Sequence, residues 1–596
     1  MQQVIGILAG HEYDSDRQAL NHFHVIAGGV FRRQQAEAIA TRARQVFDVT
    51  AIVLAEGMAA IAAPRIVATA EAPAQSSAHN PWAIALVVTM ATFMELLDTS
   101  ISNVSLPHIA GGLGTSYDES TWVLTSYLVA NAVILPMSAW LSRVFGRKRY
   151  YMMCVTLFTA TSFLCGIAPS LGMLVFFRVL QGIGGGGLAP VEQAILVDTF
   201  PPAKLGAAFA LYSMAIVTAP AIGPPLGGWI TDSFSWRWVF FFNVPIGLLS
   251  LVLSSRLVHD PVEFTEERKR ARTGGKLRID YSGIALIAIG FACLEVVLDR
   301  GERDDWLESH FIVSFLLIAI VAIALAIWWE WRHDDPVVEL TLLRERNFAI
   351  ANVYYFLFAF GLFGSTVMIP EMLQTLFGYS ATDAGLVLGP GAAVITLLAP
   401  IVVRIVPRIG AKRLLGASFT IAAFSFFYYA GLTTDTDYSH FAFARAFQGF
   451  GYAFMFVPVS QLAYSYLPRS KNNKGSSLTN LCRNWGGSFG ISFATTMLAR
   501  RTQYHQGVLV SNLTSADGAV HQFVKTSSHY LVTRGSSAPD AVHQAYGLID
   551  RAMTQQATML AFMDCFHLLG LVVLLGLPLA FFIRRFEIGK TAGGAH

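Results

Sequence analysis

Apolar runs of about 20 residues, each long enough to cross a bilayer as a helix, recur along most of the chain between short polar connections. Fourteen are predicted: 82–105, 120–142, 149–168, 171–195, 206–231, 237–256, 281–299, 310–331, 349–370, 383–406, 412–431, 440–463, 476–499 and 558–584. The clearest are 310–331, centred on FIVSFLLIAIVAIALAIWW, and 563–583; the weakest, 281–299, is short and contains Glu295. Two segments break the pattern. Residues 1–80 have no long apolar run and read either as a cytoplasmic extension or as an upstream start to a protein beginning near Met58, with APAQSSAHNP (72–81) as a flexible lead-in. Residues 501–557 read as a long outward loop, whose second half, PDAVHQAYGLIDRAMTQQATMLAFMD (539–564), has no breaker after Gly547 and can extend the last helix.

Composition points the same way. Of 596 residues, 54% are hydrophobic and 14% charged, with a mean hydropathy of +0.50. Soluble domains carry about 25% charged residues, so lipid is the expected solvent for this all-α chain. The five cysteines fall in apolar stretches without metal spacing and read as buried thiols. A net charge of +3 gives no nucleic-acid signal, and neither metal nor cofactor is expected.

Lys and Arg are concentrated in alternate connections: RVFGRKR (143–149), EERKRARTGGKLR (266–278), RIVPRIGAKR (404–413), PRSKNNK (468–474) and RRFEIGK (584–590). The intervening ones are poor in basic residues or acidic, as in DRGERDDWLESH (299–310) and TTDTDYSH (433–440). RRTQYHQ (500–506) is an exception in a long loop, where the charge rule is weak. An even number of spans then puts both termini in the cytoplasm of a multi-pass protein of the inner membrane.

The stretch RVLQGIGGGGLAP (178–190) resembles a phosphate-binding loop, but no Lys-Ser/Thr pair follows its glycines. Its first seven residues recur as RAFQGFG (445–451), 267 residues on, each copy followed by a proline (Pro190, Pro458) and preceded two spans earlier by a basic loop. The chain therefore divides into two related six-helix halves, 81–260 and 348–596, joined by a basic loop and two extra helices over 261–347. Such a parallel repeat places the glycines inside a membrane helix, where they allow close helix contact.

Several stretches in order, LDTSISNVSLPHIA (97–110), SYLVANAVILPMSAWLSRVFGRKR (126–149), RVLQGIGGGGLAP, AIGPPLGGWITD (221–232), WRWVFFFNVPIG (236–247) and MLQTLFGYSATDAGLVLGPGA (372–392), resemble the EmrB/QacA-type, fourteen-helix drug:proton antiporters of the major facilitator superfamily. The resemblance covers roughly 82–500 and 558–584. It implies the major facilitator fold, and assigns Gly223, Pro224, Pro225, Gly227 and Gly228 to the antiporter motif that keeps the two access paths separate. It assigns Gly146, Arg147 and Lys148 to the loop motif G-x-L-x-D-R-x-G-R-K. Arg143 stands at the acidic place of that motif, so the usual acidic latch cannot form as written.

Ionisable residues inside a membrane are expensive and are functional candidates by default. Glu95 and Asp98 share a face of the first helix, and Arg178 on the fourth lies at comparable depth, so Asp98 and Arg178 are expected to pair. Asp98, Glu95 and Arg178 are the candidate proton-coupling residues; Glu192 and Glu371 are candidates for the substrate or proton path. Glu192 is expected near the cytoplasmic end, within reach of water, and Glu371 at the outer end of the ninth helix. His567, one turn from Asp564, is a weaker relay candidate. The aromatics of YYFLFAFGLF (354–363), FSFFYY (424–429) and FQGFGYAFMF (447–456) suit hydrophobic or cationic compounds.

The expected function is proton-driven export of amphipathic compounds by alternating access. The long outward loop resembles that of members which pass cargo to a periplasmic adaptor and an outer-membrane channel. Export of a native metabolite, such as a siderophore, lipid or amino-acid derivative, fits the same residues. A membrane-embedded enzyme lacks a catalytic motif here, and a sensor lacks a recognisable signalling domain.

Overall fold

The computed structural model describes residues 80–258, 280–333, 336–467, 471–513 and 518–584. The expectations for residues 1–79, for the basic loop before residue 280 and for the tail after residue 584 lie outside these.

Helices occupy all fourteen predicted positions. In the first half these are α1 (Pro81–Val104), α2 (Trp122–Phe145), α3 (Arg147–Gly166), α4 (Leu171–Thr199), α5 (Pro202–Ser233) and α6 (Arg237–Leu257). The extra pair is α7 (Tyr281–Arg300) and α8 (His310–Glu330). The second half has α9 (Arg346–Leu376), α10 (Thr382–Ile409), α11 (Ala411–Ala430), α12 (Tyr438–Ala453 with Phe456–Tyr464), α13 (Asn472–Asn512) and α14 (Ala538–Phe582). By length and hydropathy, ten of the fourteen could cross a membrane; α3, α11, α12 and α13 are not among them. Their polar residues explain this: Arg147, Lys148 and Arg149 open α3, Lys412 and Arg413 open α11, α12 carries Arg445 and Gln448, and α13 carries Asn480 and Arg483.

Sequence chemistry sets several boundaries. The Asn80 side chain accepts from Trp82 N ahead of Pro81, and Ser170 and Ser309 cap α4 and α8 in the same way. α2 passes to α3 through Gly146 at φ 90°, and α10 to α11 through Gly410 at φ 88°, a backbone that strains any residue with a Cβ.

The repeat is visible in packing. In α4, helical structure is interrupted at Gly186–Gly187, and in α12 at Phe454–Met455. Pro190 and Pro458 each lie four residues beyond the start of the break, so the carbonyls of Gly186 and Phe454 lose their helical donors. A Cβ on Gly182 would come 2.8 Å from Ala130 Cβ of α2, and one on Gly184 2.7 Å from Phe158 N of α3. Their repeat partners behave alike: Gly449 approaches Gly391 of α10 (2.8 Å to Cα) and Gly451 approaches Ala422 of α11 (2.7 Å to N). The glycine run is thus a helix-packing surface.

The extra helices pack side by side at the seam of the halves. In α7, Asp299 accepts from Thr125 of α2, and Glu295 accepts from Ser488 of α13 at 2.8 Å. Phe291 meets Trp485 edge-on at 4.9 Å. α8 has only 22% of its most apolar window buried, as suits a helix facing lipid.

Much of the segment expected as an outward loop is helical. α13 continues to Asn512, a helix at Gly518–Thr533 packs along α14, and α14 begins at Ala538 under a Ser537 cap with Pro539 in its first turn. Continuation of the last helix was legible from the missing breaker; that of α13 was not predicted.

Candidate transport site

Asp98 is fully buried and held by three donors from two neighbouring helices. Its Oδ2 accepts from Arg178 Nη1 of α4 at 2.5 Å, and its Oδ1 accepts from Gln181 Nε2 at 3.1 Å and from Asn243 Nδ2 of α6 at 2.6 Å. Arg178, also 0% exposed, donates through Nε to Val123 O of α2 at 2.9 Å and lies 4.4 Å from the Tyr127 ring centroid. The expected pair is present, and the full set of donors explains how two charges remain in an apolar bundle. Removing one partner of such a pair typically costs about 3–5 kcal/mol.

Glu95 does not join this pair. Its Oε1 accepts from Asn131 Nδ2 at 2.9 Å and from Tyr127 OH at 3.4 Å. Glu192 departs from its expected wetted position: it is 0% exposed and accepts from Thr89 Oγ1 of α1 at 2.5 Å. The break at Gly186–Gly187 separates it from the register of Arg178, which a continuous helix would have kept. Thr89 also lines an open apolar groove between α1 and α5, walled by Leu86, Met90, Phe93, Leu211 and Met214. Glu192 therefore lies one hydrogen bond behind an apolar groove.

Polar residues bridge the two halves. Asn480 Nδ2 of α13 donates to Gln193 Oε1 of α4 at 2.8 Å, Tyr212 OH of α5 donates to Asn480 Oδ1 at 3.3 Å, and Arg483 Nη1 donates to Tyr212 OH at 2.6 Å. Gln181, Asn243, Gln193, Tyr212, Asn480 and Arg483 were missed as site residues. Arg483 should have been found, because a cation inside a predicted span falls under the same rule that selected Glu95 and Asp98.

Glu371 is half-buried in α9 and stands apart from this group. Asp564 pairs with α13, accepting from His505 Nε2 at 2.9 Å and lying 3.4 Å from Arg501 Nε. His567 instead has its Nδ1 3.0 Å from Met563 O, so no relay to Asp564 forms.

The antiporter motif joins α5 to α1 and α10. A Cβ on Gly223 would collide with Ser100, and one on Gly227 would come 3.0–3.2 Å from Ile101. Gly228 has only Thr382 at 3.9 Å, while Pro224 and Pro225 pack against Gly385, whose added Cβ would be 2.8 Å from Pro225 Cδ. In the loop motif, Arg147 is buried and ion-paired with Asp198 near the end of α4, and Lys148 Nζ donates to Ser255 O at 2.6 Å. An ion pair ties the loop to α4 despite Arg143, its acid being supplied by α4.

Residues 88–491 match the Major Facilitator Superfamily. The chain belongs to the major facilitator superfamily. It is a multi-pass membrane transporter of that superfamily, not an enzyme. It is 36% identical to the multidrug export protein EmrB of Escherichia coli (strain K12) over 513 residues, 86% of this chain and 97% of that protein. It is 38% identical to the EmrB of Haemophilus influenzae over 440 residues, 72% and 83% of the two chains. Among solved structures, the major facilitator proton:xylose symporter XylE superposes with a TM-score of 0.54 at 14% identity, covering 86% of this chain and 97% of that one, a likeness of fold.

Proposed function

We propose that this transporter is a multidrug-type exporter that moves amphipathic or hydrophobic compounds outwards across the inner membrane in exchange for protons, with all fourteen helices crossing and both termini cytoplasmic. The observation that carries the reading is the Asp98 cage: a buried carboxylate whose charge depends on Arg178, Gln181 and Asn243 from neighbouring helices. A proton on Asp98 would remove the charge that Arg178 neutralises and weaken the ties between α1, α4 and α6, coupling protonation to helix movement. Glu192 behind an apolar groove suits compounds with an apolar body and a positive group, and the multidrug export proteins it resembles support that class. The helical projections of α13 and α14 offer a docking place for a periplasmic adaptor leading to an outer-membrane channel.

Inverted membrane vesicles holding a pH gradient test this directly. Adding a cationic dye or drug is expected to dissipate the gradient with the wild type and not with Asp98→Asn. An Asp98→Asn protein that is present in the membrane and couples normally would refute Asp98 as the proton site. No dissipation by any compound, even in the wild type, would favour a native metabolite as cargo.

A further inference from the structure

The internal repeat aligns Arg178 and Gln181 of α4 with Arg445 and Gln448 of α12, and the same offset of 267 residues aligns Asp98-Thr99 of α1 with Ser365-Thr366 of α9. Both carboxylates of α1 are lost: Ser365 stands for Asp98 and Leu362 for Glu95. The donors remain. Arg445, 5% exposed, donates through Nη1 to Ser365 Oγ at 3.0 Å and Gln448 Oε1 at 2.5 Å, and through Nη2 to Thr366 Oγ1 at 3.0 Å. Gln448 Nε2 also donates to Ser365 Oγ at 3.3 Å.

These hydrogen bonds all go to neutral groups, so the guanidinium charge is met by dipoles alone, whereas Arg178 of α4 is met by the Asp98 carboxylate of α1. An independent observation marks the same place. Tyr452, 1% exposed, has a hydroxyl with no hydrogen-bond partner among the described residues. That hydroxyl lies beside Gly361, where a Cβ would come within 2.5 Å of it, one turn of α9 (about 6 Å) from Ser365. In the first half the corresponding kind of donor, Tyr127 OH, is directed at Glu95. A buried charge without a counter-charge and a buried hydroxyl without an acceptor are each unfavourable, and one negative ion between them would relieve both.

We propose that Arg445, Gln448, Ser365 and Tyr452 form a site for one small monovalent anion, either a free halide or the carboxylate head of an amphiphile. The half-buried Thr366 edge of the guanidinium is the open side. The site replaces with a bound ion the carboxylate that α1 carries covalently, and it stands whether or not export is proton-driven.

Thermal unfolding of the purified full-length protein in detergent tests it. The starting medium is sodium gluconate, whose anion is bulky; chloride is exchanged in at constant ionic strength and pH, and octanoate is titrated separately. A ligand of the folded state raises Tm saturably. The wild type is expected to respond to at least one of the two. Ser365→Asp, which restores a covalent carboxylate, should lose the response. Tyr452→Phe should need roughly tenfold more anion, as loss of one hydrogen bond to a charge implies. A chloride response identifies a free ion; an octanoate response without one identifies a substrate carboxylate. The site is overturned if the wild type answers neither anion, or if both variants respond as the wild type does.

Discussion

At the scale of residues, the buried charges divide into those whose partners are near in the sequence pattern and those whose partners come from folding. Asp98 and Arg178 were legible because both lie in quoted motifs at matching depth, and a charge in lipid needs a partner. Asn243 and Gln181 lay in the same motifs and were passed over, since a neutral amide in an apolar run draws less attention than a charge. Glu192 was expected to be wetted because it was placed by counting along one helix; it is instead buried against Thr89, beyond the interruption at Gly186–Gly187. This geometry yields a prediction separable from Asp98. Gln at 192 can still accept from Thr89 through its amide oxygen, so Glu192→Gln should leave the protein folded and inserted. Without the carboxylate, transport of cationic dyes should fall by roughly tenfold, in keeping with the loss of a favourable charge pair, while neutral compounds are carried as before. Parallel efflux assays with a cationic and a neutral fluorescent compound would measure this; an equal fall for both would mean that Glu192 supports structure rather than charge selection.

At the scale of elements, the positions of helices followed from apolarity, and their contacts followed from glycine and proline. The prolines of α5 could be read as a kink with or without gating. The packing now distinguishes members of the motif: Gly223 and Gly227 lie against α1, whereas Gly228 faces open space towards α10. Gly223→Ala should force Ser100 and the α1–α5 contact apart, a misfit of about 1–3 kcal/mol for a well-packed site. Gly228→Ala should be nearly neutral for folding. Thermal unfolding of the two purified variants is the check, and a Gly228→Ala protein as destabilised as Gly223→Ala would show that the motif packs differently. The four helices that fell short of the apolar criterion show the limit of reading elements from hydropathy. Some of their polar residues find partners on other helices, as Arg147 does in Asp198 and Arg483 in Tyr212, and no window of one helix records such a partner.

At the scale of the whole molecule, the repeat of RVLQGIG and RAFQGFG announced two halves, but it could not say where they touch. The side-chain hydrogen bonds between the halves gather towards the end that carries the basic loops, while α5 and α10 pack on each other elsewhere through Pro225 and Gly385. Ser138 Oγ lies 3.2 Å from Ser477 Oγ, Asn473 Nδ2 donates to Ser142 Oγ at 3.2 Å, and Ser476 Oγ donates to Pro190 O at 2.9 Å. These bonds join α2 and α4 to α13 through serine and asparagine side chains and the carbonyl of Pro190. Alternating access needs these bonds to break in every cycle. A Ser142→Cys, Asn473→Cys pair, in a protein whose five native cysteines are replaced, should therefore form a disulfide on oxidation and stop efflux, with activity restored by reductant. Either single cysteine should transport under both conditions. Full efflux from a protein whose disulfide is shown by gel shift to be complete would mean that this end stays closed through the cycle, and that movement is confined to α1, α5 and the opposite end.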